Sequence, residues 1–463
     1  MEYLNLALKA WRDGQNLRTR RSRYKDYTYG RQWGDAVTDA AGNTVTEGSL
    51  AETSGFRPHT NNLIRQLVKC VVGNFRSSLA EADPCSTASS LGSELMERNA
   101  LTELDCRMLE EFLISGCAVQ RVVTERRLDG SGVWIDNVSP DRFFVNRFTD
   151  TRGLDIELVG MLHSMSLREV LMRFAPEGGE RAARLSAKFN AELTCGSLAR
   201  IGDSVSRSFL EAEEGRCRVI ELWTLESRAL LRCHDHSTGS CFTIPAQSAA
   251  ELRAEQSRRF EAAEPQLEIK PVTTLRWHCR FLAPWGEVLQ QYDSPYAHGR
   301  HPFVVKFYPL IDGEVHSLVE DIIDQQRSIN RLITLIDHIM SVSAKGALLL
   351  PYDSLAPGMT PADVGRLWAQ CNSVIPYRPG KGEVRQMVGG GDNAGAYQLL
   401  NLQMDLFRQI SGVSGALQGQ LTNPNSSAAL FDAQVQHSAV AILDLLQTFH
   451  SFRSARNRLA ASV

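Results

Sequence analysis

The stretch from Ser317 to Met340 constrains the chain more than any other. Ser317-Leu318-Val319-Glu320 has the S-x-x-E spacing in which two side chains each satisfy an orphan backbone amide at a helix start. Leu318, Ile322, Gln325, Ile329, Leu332, Ile336 and Ile339 then recur at alternating intervals of four and three, which predicts a long amphipathic helix. Its apolar seam is interrupted at Gln325 and Gln326, whose amides need partners wherever they are buried. That pattern points to packing against neighbouring helices rather than into a single-chain core.

Beyond this helix the chain has a readable order. Past Lys345-Gly346, residues 347–350 read as a strand, and Thr360-Pro361-Ala362-Asp363 starts a short helix with proline at its tolerated first turn. Extended pieces at 373–377 and 383–388 complete a small αβ insertion. After Gly389-Gly390-Gly391 a second helix runs from about 394 to 410, with Leu399, Leu402, Leu406 and Ile410 on one face. Ser411-Gly412-Val413-Ser414-Gly415 and the run Gly419 to Pro424 favour turns and a loop. A terminal helix is expected over about 426–459, basic at Arg453, Arg456 and Arg458.

Upstream, helices lead and strands come after them. One helix is expected over 1–29 with a basic run, Arg18, Arg20, Arg21, Arg23 and Lys25, read as a solvated face or subunit contact. Two more are expected over 61–79 and 95–114. Strands are expected at 118–124, 133–138, 143–145, 157–163, 219–225, 229–234, 275–282 and 303–307. Ser166-Leu167-Arg168-Glu169 is another capping box, predicting a helix to about 174. The polar stretch 246–263 reads as a helix or an excursion. The fold class is therefore α+β.

Composition narrows the function. With 463 residues, of which 43% are hydrophobic and 22% charged, the chain can bury several cores and is not a disordered one. Fifty basic against 53 acidic residues give a net charge of −3, which disfavours a tight DNA binder and suits a conduit along which a polyanion slides. Ten cysteines without a C-x-x-C pair fit a reducing compartment, and no stretch reaches the ~18 apolar residues of a membrane span.

The order of long helix, αβ insertion, second helix, glycine-rich loop and terminal helix resembles the core of tailed-bacteriophage portal proteins, the ring subunits of the head-to-tail connector. Gly313-Glu314-Val315-His316-Ser317-Leu318 before a helix carrying Gln325-Gln326 and Asn330, then Lys345-Gly346, are similar to portal sequences, as are Ile410-Ser411-Gly412-Val413 and Trp134 to Val145. The resemblance implies an elongated protomer: a wing over 1–315, helical then β-rich, a first stem helix over 316–343, a clip over 344–393, a second stem helix over 394–411, a tunnel loop over 412–425 and a wing or crown helix over 426–463. Little remains beyond 459 for a helical crown.

It further implies a closed ring, usually a dodecamer, at one capsid vertex, through which double-stranded DNA is packaged and ejected. Subunits would pack through Ile322, Ile329, Leu332, Ile336, Leu402 and Leu406, and Asp321, Asp324 and Asp405 would face the lumen as bands that repel phosphates; a solvated helix face is the equal alternative for these acids. Ser411, Gly412, Ser414, Gln418, Gln420, Asn423 and Asn425 would touch DNA without sequence preference. Tyr352, Leu355, Trp368 and Tyr377 would anchor partners on the clip, a core role being at least as natural for Trp368. Implied partners are the large terminase, the head-tail adaptor and the major capsid and scaffolding proteins, with no membrane and no cofactor. The virion is the implied location, after assembly in the host cytoplasm.

Enzyme readings find less support. Cys233, His234, Asp235, His236 and Cys241 offer zinc-binding atoms, but neighbouring strand residues point to opposite faces, and a hairpin end is the better reading. No G-x-x-x-x-G-K-[ST] run marks an ATP-driven motor. The alternatives are another ring component of the phage head or tail, or a metal-dependent nuclease.

Overall fold

The computed structural model describes residues 1–81, 93–127, 130–195, 203–235, 238–245, 249–261, 267–343, 347–369, 375–378, 385–387, 394–412, 440 and 442–463. The chain divides into two compact units. The first joins Met1–Lys25, Val68–Glu320 and Ala439–Val463, and the second joins Asp26–Leu67 with Asp321–Ser438. Helix and sheet are mixed, and every described strand pair is antiparallel, as an α+β chain requires.

In the first unit, the main sheet runs Val288–Asp293, Leu267–Leu282, Cys217–Asp235, Leu158–Met165, Phe143–Val145, with Ser240–Pro245 paired to the far part of Cys217–Asp235. Alternation along the central strand explains why both faces are covered. Cys217, Val219 and Trp223 enter a core with Val170, Phe174, Leu185 and Phe189 from the helices Leu167–Phe174 and Gly179–Cys195. Ile220 and Leu222 enter another with Leu4, Ala7, Trp11 and Phe209 from Glu2–Asp13 and Ser204–Leu210. The Ser166 capping box forms, with both reciprocal hydrogen bonds in place.

A smaller sheet places Cys117–Arg127 between Phe303–Phe307 and Gly130–Asn137. The helices Leu101–Ser115 and Leu443–Ala461 pack beside it. Phe449 meets Phe75 and Phe112 with ring centroids 5.6 and 5.7 Å away. The fully buried Arg456 pairs with Asp105, and Arg453 reaches the same carboxylate at 2.7 Å. Gly116 ends the helix Leu101–Ser115 in the left-handed region, where a Cβ would come within 2.7 Å of the His316 carbonyl.

Several expectations are corrected. The single helix over 1–29 is two, Glu2–Asp13 and Gln15–Thr28, parted at Gly14. Its basic run is not simply solvated: Arg18 and Arg21 are buried, and Arg21 binds Glu111 and Asp141. The helix over 95–114 is also two, Ser93–Arg98 and Leu101–Ser115, with Ala100 at φ 46 between them. The strands expected at 219–225 and 229–234 are one, Cys217–Asp235, paired without a break to Leu267–Leu282, itself far longer than 275–282. The Cys/His run does lie at a hairpin end, with His234 opposite Cys241 and Asp235 opposite Ser240. His236 falls outside the described residues, and no group of metal ligands is found among the described ones. No described helix is long and apolar enough to cross a membrane.

In the second unit, the helices Leu318–Ser343 and Ala394–Ser411 are the long elements. Between them, Ala347–Leu349 pairs with Arg385–Met387, Pro361–Ala369 forms the short helix, and Leu355 bridges to Tyr377.

Candidate functional site

The helix Leu318–Ser343 starts where its sequence says it should, with Ser317 Oγ accepting from the Glu320 amide at 3.0 Å. The Glu320 carboxylate turns to Arg20, 3.3 Å away. Along the helix, Ile322, Ile329 and Ile336 are buried and Leu332 is half-buried.

Gln326, Asn330 and Thr334 succeed one another at four-residue intervals, so they share a helix face, and all three are buried. They hold the segment ahead of the helix Leu63–Glu81. The Gln326 Oε1 accepts from the amides of Leu63 and Ile64 at 3.0 and 3.3 Å, and its Nε2 donates to the Asn61 carbonyl at 2.5 Å. Asn330 Oδ1 accepts from the Asn61 amide at 3.1 Å, and Thr334 Oγ1 from the His59 amide at 3.0 Å. Asn330 Nδ2 donates to Gln32 Oε1 at 2.6 Å, and Gln32 donates on to Asn62 and the Tyr27 carbonyl. Asn62 caps the same helix by accepting from the Arg65 amide at 2.9 Å.

Gln326 is thus satisfied entirely within its own chain, so the expectation that its amide needs a neighbouring helix is corrected for that residue. Gln325 is half-buried, and its buried Oε1 has no hydrogen-bond partner among the described residues. Beside the amides, Glu47 binds Arg327 and Arg331.

Helix Ala394–Ser411 presents a different surface. Phe407 and Ser411 are buried, whereas Leu399, Leu402 and Ile410 are 44, 53 and 43% exposed. Leu406, half-buried, completes a stripe on that face. Asp321 and Asp324 are exposed, and Asp405 is exposed beside Arg408 at 3.3 Å, which offsets part of its charge. In the αβ insertion Leu355 and Trp368 are half-buried and Tyr377 is 51% exposed. Nothing is described of the Tyr352 side chain. Of the loop residues, Ser411 is buried and Gly412 half-buried, while Ser414, Gln418, Gln420, Asn423 and Asn425 lie outside the described residues.

The sequence reading missed Gln32, Glu47, Asn61 and Asn62. For Asn62 a signal existed, since a helix-capping residue type stands immediately before Leu63, the first apolar residue of a periodic run. Gln32 and Glu47 carried none.

No curated protein matches the chain. A family model described as phage P22-like portal protein matches residues 7–462. With all but the first six residues and the last one covered, the chain belongs to the phage P22-like portal protein family, whose members are structural proteins of the phage capsid's portal.

Proposed function

We propose that this chain assembles into a closed ring, a dodecamer, at one capsid vertex. Double-stranded DNA enters and leaves the head through its channel. The observation that carries the reading is the apolar stripe on Ala394–Ser411: Leu399, Leu402 and Ile410 stay exposed in a chain that buries Ile322 and Ile329 almost completely. Covering one such leucine would contribute about 1–2 kcal/mol per copy, repeated at every subunit contact of a heterologous ring.

In that ring Asp321, Asp324 and Asp405 face the lumen and discourage lasting phosphate contact. The tunnel loop over 412–425 touches DNA through uncharged hydrogen-bonding groups, and the clip surface with Leu355, Trp368 and Tyr377 receives the large terminase and later the head-tail adaptor. Major capsid and scaffolding proteins surround the ring, which assembles in the host cytoplasm.

Native mass measurement and negative-stain imaging of the purified protein test this. The expected result is a stalked ring with an axial hole of duplex width, and Leu402→Ser should lower the assembled fraction without unfolding the subunit. A protein that stays monomeric at assembly-competent concentration refutes the ring, and a Leu402→Ser variant that assembles like the parent removes the stripe from the subunit contact.

A further inference from the structure

The long hairpin of the first unit outruns the sheet it belongs to. Cys217–Asp235 and Leu267–Leu282 stay paired from Ile220 opposite Leu282 to Asp235 opposite Leu267. Their neighbours stop early: Leu158–Met165 ends its pairing at Thr224, and Val288–Asp293 ends at His278. Farther out, Ser240–Pro245 joins Cys217–Asp235, from Leu230 opposite Pro245 to Asp235 opposite Ser240. The far end of the hairpin is therefore a three-stranded sheet with Cys217–Asp235 in the middle.

One face of this small sheet has its own cover. Leu252 of the helix Ala249–Glu261 packs on Cys233 and Leu267, and Arg259 binds Asp235 at 3.0 Å. The two edges have no such cover. Among the described residues, no strand pairs with the outer side of Ser240–Pro245 or with the outer side of 269–276. Open edges carry rows of backbone donors and acceptors and invite another strand, which proteins usually discourage with charge or proline.

The edges differ in how they are guarded. The 269–276 edge carries Lys270, Pro271 and Arg276, while Ser240–Pro245 reads SCFTIP, with a proline only at its last position and no charge. Two copies of the guarded edge laid against each other would oppose like charges, which is unfavourable. The uncharged edge brings none. A pair of unlike edges on opposite sides of one sheet is the requirement for head-to-tail contact, the kind that closes a ring.

Exposed apolar groups fit the same contact. Phe242 lies opposite Cys233, which lies opposite Ile269, and residues an even number apart in a strand share a face. Phe242 and Leu275, 39 and 67% exposed, therefore sit on the same sheet face, one by each edge. Val272, Thr273 and Thr274 are β-branched and suited to a pairing strand.

We infer that Ser240–Pro245 of one copy adds as a strand to the 269–276 edge of the next, so that the hairpin ends form an intersubunit sheet. The inference rests on the ring reading and names a contact within it. Its occupant is a second copy of this chain.

Cys241 is free and exposed on the donor edge, on the same sheet face as Lys270, Val272 and Thr274. Within one chain the intervening strand holds those edges about 10 Å apart, beyond disulfide reach, so any such disulfide joins two chains. Lys270→Cys, Val272→Cys and Thr274→Cys, each assembled and mildly oxidised, should yield covalent multimers on a non-reducing gel in at least one register. The parent protein should give none, and adding Cys241→Ser should abolish the ladder. Independently, hydrogen exchange over 269–276 should slow by about tenfold or more on assembly. Rings that form normally but show neither cross-links nor slowed exchange overturn the edge contact and leave the ring standing. Absence of any ring overturns both.

Discussion

The two units bury polar groups of different kinds. In the first, most are charged and paired, among them Asp105 with Arg456, Glu221 with Arg121, and Arg21 with Glu111. In the second they are mostly neutral amides and hydroxyls, Gln32, Gln326, Asn330 and Thr334, with Glu47 the charged exception among the described residues. A buried charge binds its partner firmly but leaves a large penalty if that partner goes. A buried amide fixes position at lower stakes and does not titrate. The first unit is thus fixed by ion pairs around its sheets, and the second is fixed by a neutral network along a helix proposed to line a DNA channel.

The largest effect should come from Asp105→Ala, which strips the carboxylate from Arg456 and Arg453. We expect the first unit to lose about 3–5 kcal/mol, measured by denaturant unfolding followed through site-resolved exchange. A loss below about 1 kcal/mol would mean that this pair is not what holds the terminal helix. Next, Gln326→Ala uncaps the amides of Leu63 and Ile64 and orphans the Asn61 carbonyl. The expected loss is about 2–3 kcal/mol, confined to the second unit; unchanged exchange at Leu63 and Ile64 would break the contrast.

The smallest effect is that of acid. Burial alone would raise the Glu221 carboxyl, but Arg121 and His163 outweigh it and hold it well below the usual carboxylate range. Its contribution is present above the unfolded pKa of about 4.3 and drains away as pH falls, roughly 0.6 kcal/mol between pH 6 and 4. Burial lowers His163, with Glu221 opposing, and a group whose folded pKa is lowered in this way also loses stability as pH falls. Local opening energies around Glu221 should drop over that interval while those beside Gln326 and Asn330 change less. Equal drops would erase the distinction.

Local signals in the sequence carried far. The boxes at Ser166 and Ser317 mark the starts of helices that form there, and alternation located most strands of the first unit. The long hairpin was misread because Glu226-Ser227-Arg228 interrupt the apolar run and Lys270-Pro271 look unlike a strand. Those residues lie where the ladder lacks neighbours on one or both sides, so no burial imposes an apolar pattern. Gln326 could be flagged as needing partners, but they stand more than 260 residues away in sequence. Periodicity reports a face and never its occupant.

The helix Leu443–Ala461 finishes the first unit, whose preceding part ends at Glu320. During translation, everything between those points must leave the ribosome before Arg456 can reach Asp105, a delay on the order of ten seconds at ordinary elongation rates. A prematurely terminated product would therefore carry an unmet Asp105 carboxylate, and Phe75 and Phe112 without their Phe449 neighbour. Such a fragment is expected to open locally and to be cut by proteases faster than the full chain.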